Sequence, residues 1–476
     1  MKRPLRFIAV LLLVFSQFVL AQAQSNPASL NDPAHFPARG GDIDWGLALS
    51  GGGERAASFS IGIMKALYDN GLLDKIDVIS SVSGGGFASY WLFTNYYQNK
   101  TKLFGESAFS SNVFLNNTCQ LQMTSDFIPS RAIIRLVSHN ANVFSYYEGR
   151  IQRSFGHPRP TAQHALDSHN SLYVETPLDS SLLNFLNERI ATGDAPYFIL
   201  NGALHDKIDS PDTHKRLVEM TGFYVGSRDL QFATWDENKN KAWDLLEGIA
   251  ISGAALPLKL KRLKTTTPEL ALNGHKLELI DAGWVDNLGA IPLIRRGIKN
   301  VIIVDSSSDS KYRFKDYATL KKLLAELKID FCVPAIEAFL SRRQNLYTGS
   351  AVTIGLATSA ASADGAPIDT KIYYIKLSRP ESVFNTDDPR FQKGNRLANE
   401  RDTDIARTCA DCFYRCDNAP KLTSPRDLYF YLINSFDKKQ GNTKFPQISL
   451  RDQSFDRETM EALIGLGDLE ASELSP

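Results

Sequence analysis

Apolar positions in this chain recur with two different periods, and the two alternate. Trp45 to Leu49 and Ile76 to Ile79 are short unbroken apolar runs, which predict buried strands. Ala56 to Tyr68 instead carries Phe59, Ile63, Ala66 and Leu67 at helical spacing and stops at Asn70-Gly71. Gly86 to Tyr97, with Phe87, Tyr90, Trp91 and Phe93, predicts a second helix. A β-α-β-α opening of this kind implies parallel strands joined by right-handed crossovers.

The pattern is less regular further on. Phe144 to Tyr147 and Leu182 to Ile190 read as helices, Tyr197 to Gly202 as a strand, and Leu217 to Val225 with Leu230 to Thr234 as a hairpin-like pair. Apolar spacing from Trp243 to Ala255 predicts a helix ending at Leu256-Pro257. Leu277 to Asp281 and Val301 to Val304 predict two more buried strands. Amphipathic helices are expected over Leu320 to Leu327 and Val333 to Phe339, then a strand over Lys371 to Leu377 and a loop-rich cysteine segment. No internal repeat or low-complexity tract interrupts this order.

The N-terminus has a different character. Lys2, Arg3 and Arg6 precede an apolar run from Phe7 to Leu20, and Ala21-Gln22-Ala23 offers a small-residue cleavage site. This run of fourteen positions falls short of the roughly 20 a spanning helix needs, so residues 1–23 read as a secretory signal peptide. Residues 24–41 are polar and Pro-rich, a leader segment without its own fold. Export would place the protein in a periplasm or outside the cell.

Composition changes the picture little. The chain has 476 residues, 43% hydrophobic and 22% charged, with a formal net charge of +0. No basic field argues for a nucleic-acid partner, and no acidic excess argues for disorder. Cys119, Cys332, Cys409, Cys412 and Cys416 would meet an oxidising compartment. The last three form C-x2-C-x3-C, which suits one or two disulfides pinning a C-terminal loop, with one thiol left over. A metal reading of the same cysteines needs a fourth ligand, and no His follows His275. Asn99-Lys100-Thr101 and Asn116-Asn117-Thr118 match the glycosylation sequon, a short pattern of little specificity.

Three segments carry candidate chemistry. Gly51-Gly52-Gly53-Glu54-Arg55 lies between a strand and a helix, where free backbone N–H groups make an anion site. A P-loop would end in Lys and Ser or Thr, and Arg55-Ala56 stand there instead. A dinucleotide-binding turn would accept Gly51, Gly53 and Ala56 but wants an acid at the end of the next strand, which here runs into Ser80 to Gly86. An oxyanion hole is the third reading. Ser81-Val82-Ser83-Gly84-Gly85 places Ser83 among small residues on a strand-to-helix turn, an approximation of the nucleophile elbow with Ser81 in its first position. Asp281-Ala282-Gly283 closes a buried strand with a carboxylate that would reach a nucleophile on a neighbouring strand end, or would simply cap the turn. Ser–acid–His order is not available around Asp281, because His35, His139, His157, His164, His169, His205, His214 and His275 all precede it.

Taken together, Leu49 to Ala56, Ser81 to Gly85 and Asp281 to Gly283 resemble the patatin-like phospholipases, and Ser50 to Ala56 with Met64 to Leu67 is also similar to the catalytic domain of the cytosolic phospholipase A enzymes. Ile251 to Pro257, Val285 to Gly289 and Ile302 to Asp305 fit the same group. The resemblance implies an α/β three-layer sandwich with a mainly parallel central sheet flanked by helices, a catalytic domain over 42–310, and a helical, loop-rich C-terminal extension over 311–476 packed on it. It implies a Ser83–Asp281 dyad without His, an oxyanion hole from Gly51, Gly52 and Gly53, and Arg55 meeting a substrate phosphate. No cofactor or metal is implied. The substrate would be a phospholipid or lysophospholipid, met in solution or at a membrane surface. Two other classes stay open on the residues alone: a non-catalytic lipid binder with a misplaced elbow, and a dinucleotide-dependent oxidoreductase.

Overall fold

In the computed structural model, residues 43–97, 109, 114, 143–156, 180–204, 216–227, 231–234, 245–253, 270–272, 275–342, 347, 351–360, 367–379, 387, 389, 392, 445–448 and 457–474 are described. The opening alternation forms as expected: β1 (Trp45–Leu49), α1 (Gly53–Asp69), β2 (Val78–Ser81) and α2 (Gly84–Leu92). Beyond Leu92 the predicted second helix widens into a π-helical turn over Phe93–Tyr97. Thr94 Oγ1 and Asn95 Nδ2 bond back to the Tyr90 and Trp91 carbonyls there, at 2.8 and 2.9 Å, competing with the regular ladder. Helices α3 (Val143–Phe155) and α4 (Ser180–Thr192) lead into β3 (Tyr197–Leu204). The expected hairpin-like pair is a three-stranded meander, β4 (Leu217–Met220), β5 (Tyr224–Ser227) and β6 (Gln231–Thr234).

Helix α5 (Leu245–Ser252) follows, then the small hairpin of β7 (Leu270–Leu272) and β8 (His275–Leu277). The strand expected over Leu277 to Asp281 is broken at exposed Glu278, so that β9 (Leu279–Asp281) belongs to a different sheet from β8. A short helix α6 (Ile291–Ile294), β10 (Asn300–Asp305), α7 (Lys315–Glu326), β11 (Asp330–Cys332), α8 (Pro334–Arg342), β12 (Val352–Ser359), β13 (Ile368–Lys376) and α9 (Arg457–Ala471) complete the order.

One eleven-stranded sheet organises the molecule, in the order β11-β12-β13-β10-β1-β2-β3-β4-β5-β6, with β9 also on β3. The five central strands from β13 to β3 are parallel, and antiparallel strands extend both ends. Leu47, Ala48, Leu49, Val78, Ile79 and Val301 to Val304 are fully buried, as parallel strands covered on both faces require. The chain runs outward from β1 to β3 and returns on β1's other side as β10. The C-terminal ends of β1 and β10 therefore flank a topological switch point, where open α/β sheets bind their ligands.

The residues after 311 are built into this sheet rather than hung on it. β13 pairs with β10 in parallel, and β12 and β11 extend the same edge. β12 escaped prediction because alternate positions, Ile354 and Leu356 among them, are exposed. At the other end of this region, α9 crosses α1 so closely that a Cβ on Gly62 would lie 1.9 Å from the Ile464 carbonyl oxygen, and one on Gly467 would lie 2.2 Å from that of Phe59. The aromatic residues Phe87, Tyr90, Trp91, Phe93, Tyr96, Tyr97, Phe109 and Phe114 are all buried.

Residues 1–42, both sequons, every histidine but His275, and Cys119, Cys409, Cys412 and Cys416 lie outside the described residues. Cys332 is exposed and free. No helix among the described residues is long and apolar enough to cross a membrane.

The meander is locked to the sheet by a buried charge cluster. Glu219 on β4 accepts from Arg295 and Arg296, each at 2.7 Å, and from the Tyr224 hydroxyl at 3.0 Å. Burial alone would raise its pKa, but the two guanidinium groups outweigh burial and hold it at about 2. A folded value below the unfolded one contributes stability above about pH 4.5, lost as pH falls toward 2. Glu219→Ala should therefore cost about 3–5 kcal/mol at pH 7, by leaving two buried cations without their anion, with the deficit narrowing under acid. Chemical denaturation of both proteins at pH 7 and pH 3 measures it.

Candidate active site

The end of β2 makes the sharp strand-to-helix turn of a nucleophile elbow. Ser83 adopts φ 50°, ψ −118°, a conformation that typically costs about 1–3 kcal/mol and has to be imposed by its surroundings. Its neighbours have no room for side chains. A Cβ on Gly84 would lie 2.1 Å from the Gly53 carbonyl oxygen, and one on Gly85 would lie 2.3 Å from that of Leu49. Ser252 and Asn201 hold the turn: Ser83 N–H donates to Ser252 Oγ at 3.0 Å, and Ser252 donates to the Asn201 carbonyl at 2.7 Å. Asn201 Nδ2 in turn donates to Ser80 Oγ and to the Ser81 carbonyl, at 2.9 and 3.0 Å. Ser81 occupies the usual glycine position without disturbing the turn. Its side chain is buried, and its hydroxyl has no hydrogen-bond partner among the described residues.

Sheet register brings the acid to this turn. β2 lies beside β3 from Tyr197 to Leu200 and stops, with Ser81 opposite Leu200. β4 takes the other edge of β3 from Leu200 to Ala203. β9 pairs with Gly202 to Leu204, so it occupies β2's lane just beyond β2's end, running the opposite way, with Asp281 opposite Gly202. Two residues of β3, roughly 7 Å, separate the levels of Ser81 and Asp281, and Ser83 turns into that gap.

Within the gap the Asp281 carboxyl accepts hydrogen bonds from the Ser83 side chain and from Gly283 N–H, the latter at 2.7 Å. Both side chains are buried. Burial pushes the Asp281 pKa up to about 6, and the two hydrogen bonds only partly oppose that rise. Ala282, in the position where glycine is more frequent, packs in the core and leaves the turn intact. Tyr147 stands close enough that the Asp281 charge helps raise its hydroxyl pKa, after burial, and that hydroxyl donates to the Gly253 carbonyl at 2.9 Å. Phe87, one helical turn beyond Ser83, packs on Tyr147.

The glycine loop abuts the elbow, though not with all the roles the sequence suggested. Gly51 sits against Ser83, but its N–H donates to the Asn287 carbonyl at 2.9 Å and is not available to an oxyanion. The N–H groups of Gly52 and Gly53 head α1 and have no acceptor among the described residues, with φ of 142° and 59°. Gly84 N–H, at the head of α2, is likewise without an acceptor among them, and Gly84 lies against Gly53. Two helix N-termini thus converge beside Ser83. The amides left available here are those of Gly52, Gly53 and Gly84, and that of Gly51 is not among them.

Arg55 also departs from expectation. Its side chain is fully buried, Nε donates to the Ser306 carbonyl at 2.9 Å, and Nη1 donates to the Ile448 carbonyl. Burial lowers its pKa to about 10, against the opposing pull of Asp305 and Asp316. On the first turn of α1 it faces β10, where it brackets the glycine loop to the end of that strand and to the C-terminal segment. It is not presented to a substrate phosphate.

Sequence reasoning did not assign Asn287, Ser252, Asn201 or Gly84. Signals existed for three of them: Asn287 and Ser252 lie in segments already noted, and Gly84 follows the nucleophile, where an oxyanion donor is ordinarily found. Among the described residues no group of three or more His, Cys, Asp or Glu side chains is arranged to hold a metal ion.

Residues 47–294 match the family model described as patatin-like phospholipase, slightly more than half of the chain. No curated protein matches it. Solved structures with a similar outline include human GIVD cytosolic phospholipase A2, at 12% identity and TM-score 0.46, covering 96% of this chain and 65% of that one. The same human enzyme in complex with methyl gamma-linolenyl fluorophosphonate matches at 14% identity and TM-score 0.47, covering 96% and 61%. VipD from Legionella pneumophila matches at 12% identity and TM-score 0.25, covering 92% and 93%. The chain thus spans less than two thirds of the human enzyme's length. On the strength of the family match, this chain belongs to the patatin-like phospholipase family.

Proposed function

We propose that the protein is an exported serine acyl hydrolase that cleaves fatty-acyl esters of phospholipids or lysophospholipids through an acyl-Ser83 intermediate. The observation that carries this reading is the hydrogen bond from the Ser83 side chain to a buried Asp281 beside acceptor-free amides of Gly52, Gly53 and Gly84. Ser83 Oγ attacks the acyl carbonyl carbon while its proton passes to Asp281. The carbonyl oxygen becomes an oxyanion held by the three amides, each such donor being worth about 3 kcal/mol of barrier. Collapse expels the alcohol, which takes the proton from Asp281. Water then enters, gives its proton to Asp281, and attacks the acyl-enzyme; on collapse the proton returns to Ser83 and the fatty acid leaves. Phe87 and Tyr147, beside the dyad, supply an apolar wall for the acyl chain. With Arg55 engaged elsewhere, headgroup recognition falls to other residues. Export is supported by the N-terminal pattern of Lys2 to Ala23, and N-terminal sequencing of the mature protein should read from Gln24.

Ser83→Ala should lower kcat on a phospholipid or short-chain ester by on the order of 10⁴-fold or more, and a fluorophosphonate probe should label wild type at Ser83 and leave the variant unlabelled. Full activity in the variant would refute the mechanism. A folded wild type that neither turns over ester nor takes the probe would favour a non-catalytic lipid binder.

Asp281 acts as a base only when ionised, so kcat/KM should fall about tenfold per pH unit below about 6. Its folded pKa lies above its unfolded value, so the stability it contributes is present in acid and is lost as pH rises through 6. Asp281→Asn should therefore be inactive yet more stable than wild type by about 1–3 kcal/mol at pH 7.5, with the advantage vanishing below about pH 4. Paired thermal melts at the two pH values decide it.

A further inference from the structure

Asn287 touches both halves of the site. Its carbonyl holds Gly51 N–H at 2.9 Å. Its side-chain Oδ1 lies so near the loop that a Cβ on Gly51 would sit 2.3 Å from it, and a Cβ on Gly283, in the Asp281 turn, would sit 2.9 Å from it. The amide has two faces, and what decides which of them meets these glycines is on the other side. Asn287 Nδ2 donates to Asp316 Oδ2 at 2.6 Å, a short bond to a carboxylate. Asp316 lies in the first turn of α7, outside the matched span of 47–294. It belongs to a buried charged group with Asp305, Lys376 and Arg55. Lys376 Nζ donates to Asp305 at 3.1 Å, and Arg55 feels both carboxylates.

We propose that Asp316 is a positioning residue for the oxyanion-binding loop: by holding Asn287 Nδ2 it orients that side chain between Gly51 and Gly283, and so fixes the loop against the Asp281 turn. The proposal rests on the ester-hydrolase reading of the site. Asp316 touches no substrate atom. Its effect is expressed where the loop must meet an oxyanion, so it acts on the transition state and spares ground-state binding.

The experiment compares full-length wild type, Asp316→Ala, Asp316→Asn and Asn287→Ala on a fluorogenic short-chain ester, with a long-chain trifluoromethyl ketone as tetrahedral analogue and the matching fatty acid as product. Asp316→Ala should lose about 10- to 100-fold in kcat with KM within about threefold, part of what deletion of a whole donor removes. Affinity for the ketone should fall by the same factor, and affinity for the fatty acid should hold. Asp316→Asn keeps an acceptor oxygen for Asn287 and should recover most of the loss. Should Asp316→Ala not fold, Asn287→Ala, at a half-buried side chain, carries the same comparison. Unchanged kcat, a loss confined to KM, unchanged ketone affinity, or an Asn variant as slow as the Ala variant would each overturn the proposal. Loss of activity in Ser83→Ala in the same series keeps the underlying mechanism standing in that event, whereas activity retained in Ser83→Ala removes it.

Discussion

The lane beside β3 is shared end to end by two strands running in opposite directions, and the site exists because of that sharing. β2 fills it as far as Leu200, and β9 fills it from Gly202 to Leu204. Neither strand contains both reacting groups, and neither turn alone would bring them together. A one-residue slip of β9 would turn Asp281 to the opposite face of the sheet, since side chains alternate along a strand. The register is therefore as much a part of the meeting of Ser83 and Asp281 as the two side chains.

Around that junction the chain accepts several local costs. Ser83 is held at positive φ, Ser81 buries a hydroxyl without a partner among the described residues, and Asp281 is desolvated enough to move its pKa to about 6. Each is unfavourable in isolation. They persist because the frame around them is over-determined: central strands buried on both faces, the Glu219 cluster fixing the meander, and α9 packed on α1 at glycine contacts. Concentrating strain at a reactive centre while the scaffold supplies the stability is what a preorganised acyl-transfer site demands.

The region after residue 311 takes part in this support. It contributes β11 to β13, the helix that covers α1, and the Ile448 carbonyl that receives Arg55. At the switch point between β1 and β10, behind the glycine loop, Arg55 feels the charges of Asp305 and Asp316. The loop's amides are thus presented on one side while a buried charge group braces the other.

Much of this was legible in the chain. The two periods of apolar residues identified the β-α-β-α opening, the parallel centre and the strand before Asp281, because burial on one or both faces leaves its mark on every residue. The spacing of small residues around Ser83 and Gly51 to Gly53 marked an elbow and an anion cradle, because backbone atoms that approach within 2 to 3 Å exclude side chains. What the sequence could not reveal was which groups were already engaged. Gly51 N–H and the Arg55 guanidinium have the right chemistry for their expected roles, but Asn287, Ser306 and Ile448, hundreds of positions away along the chain, had taken them first. β12 and the integration of the C-terminal region were hidden because β12 exposes one face with apolar Ile354 and Leu356 on it, so its pattern does not separate buried from exposed positions. Residue types set what a group is able to do; only the tertiary structure decides which partner reaches it, because hydrogen bonds are satisfied by proximity in space and chain order does not record proximity.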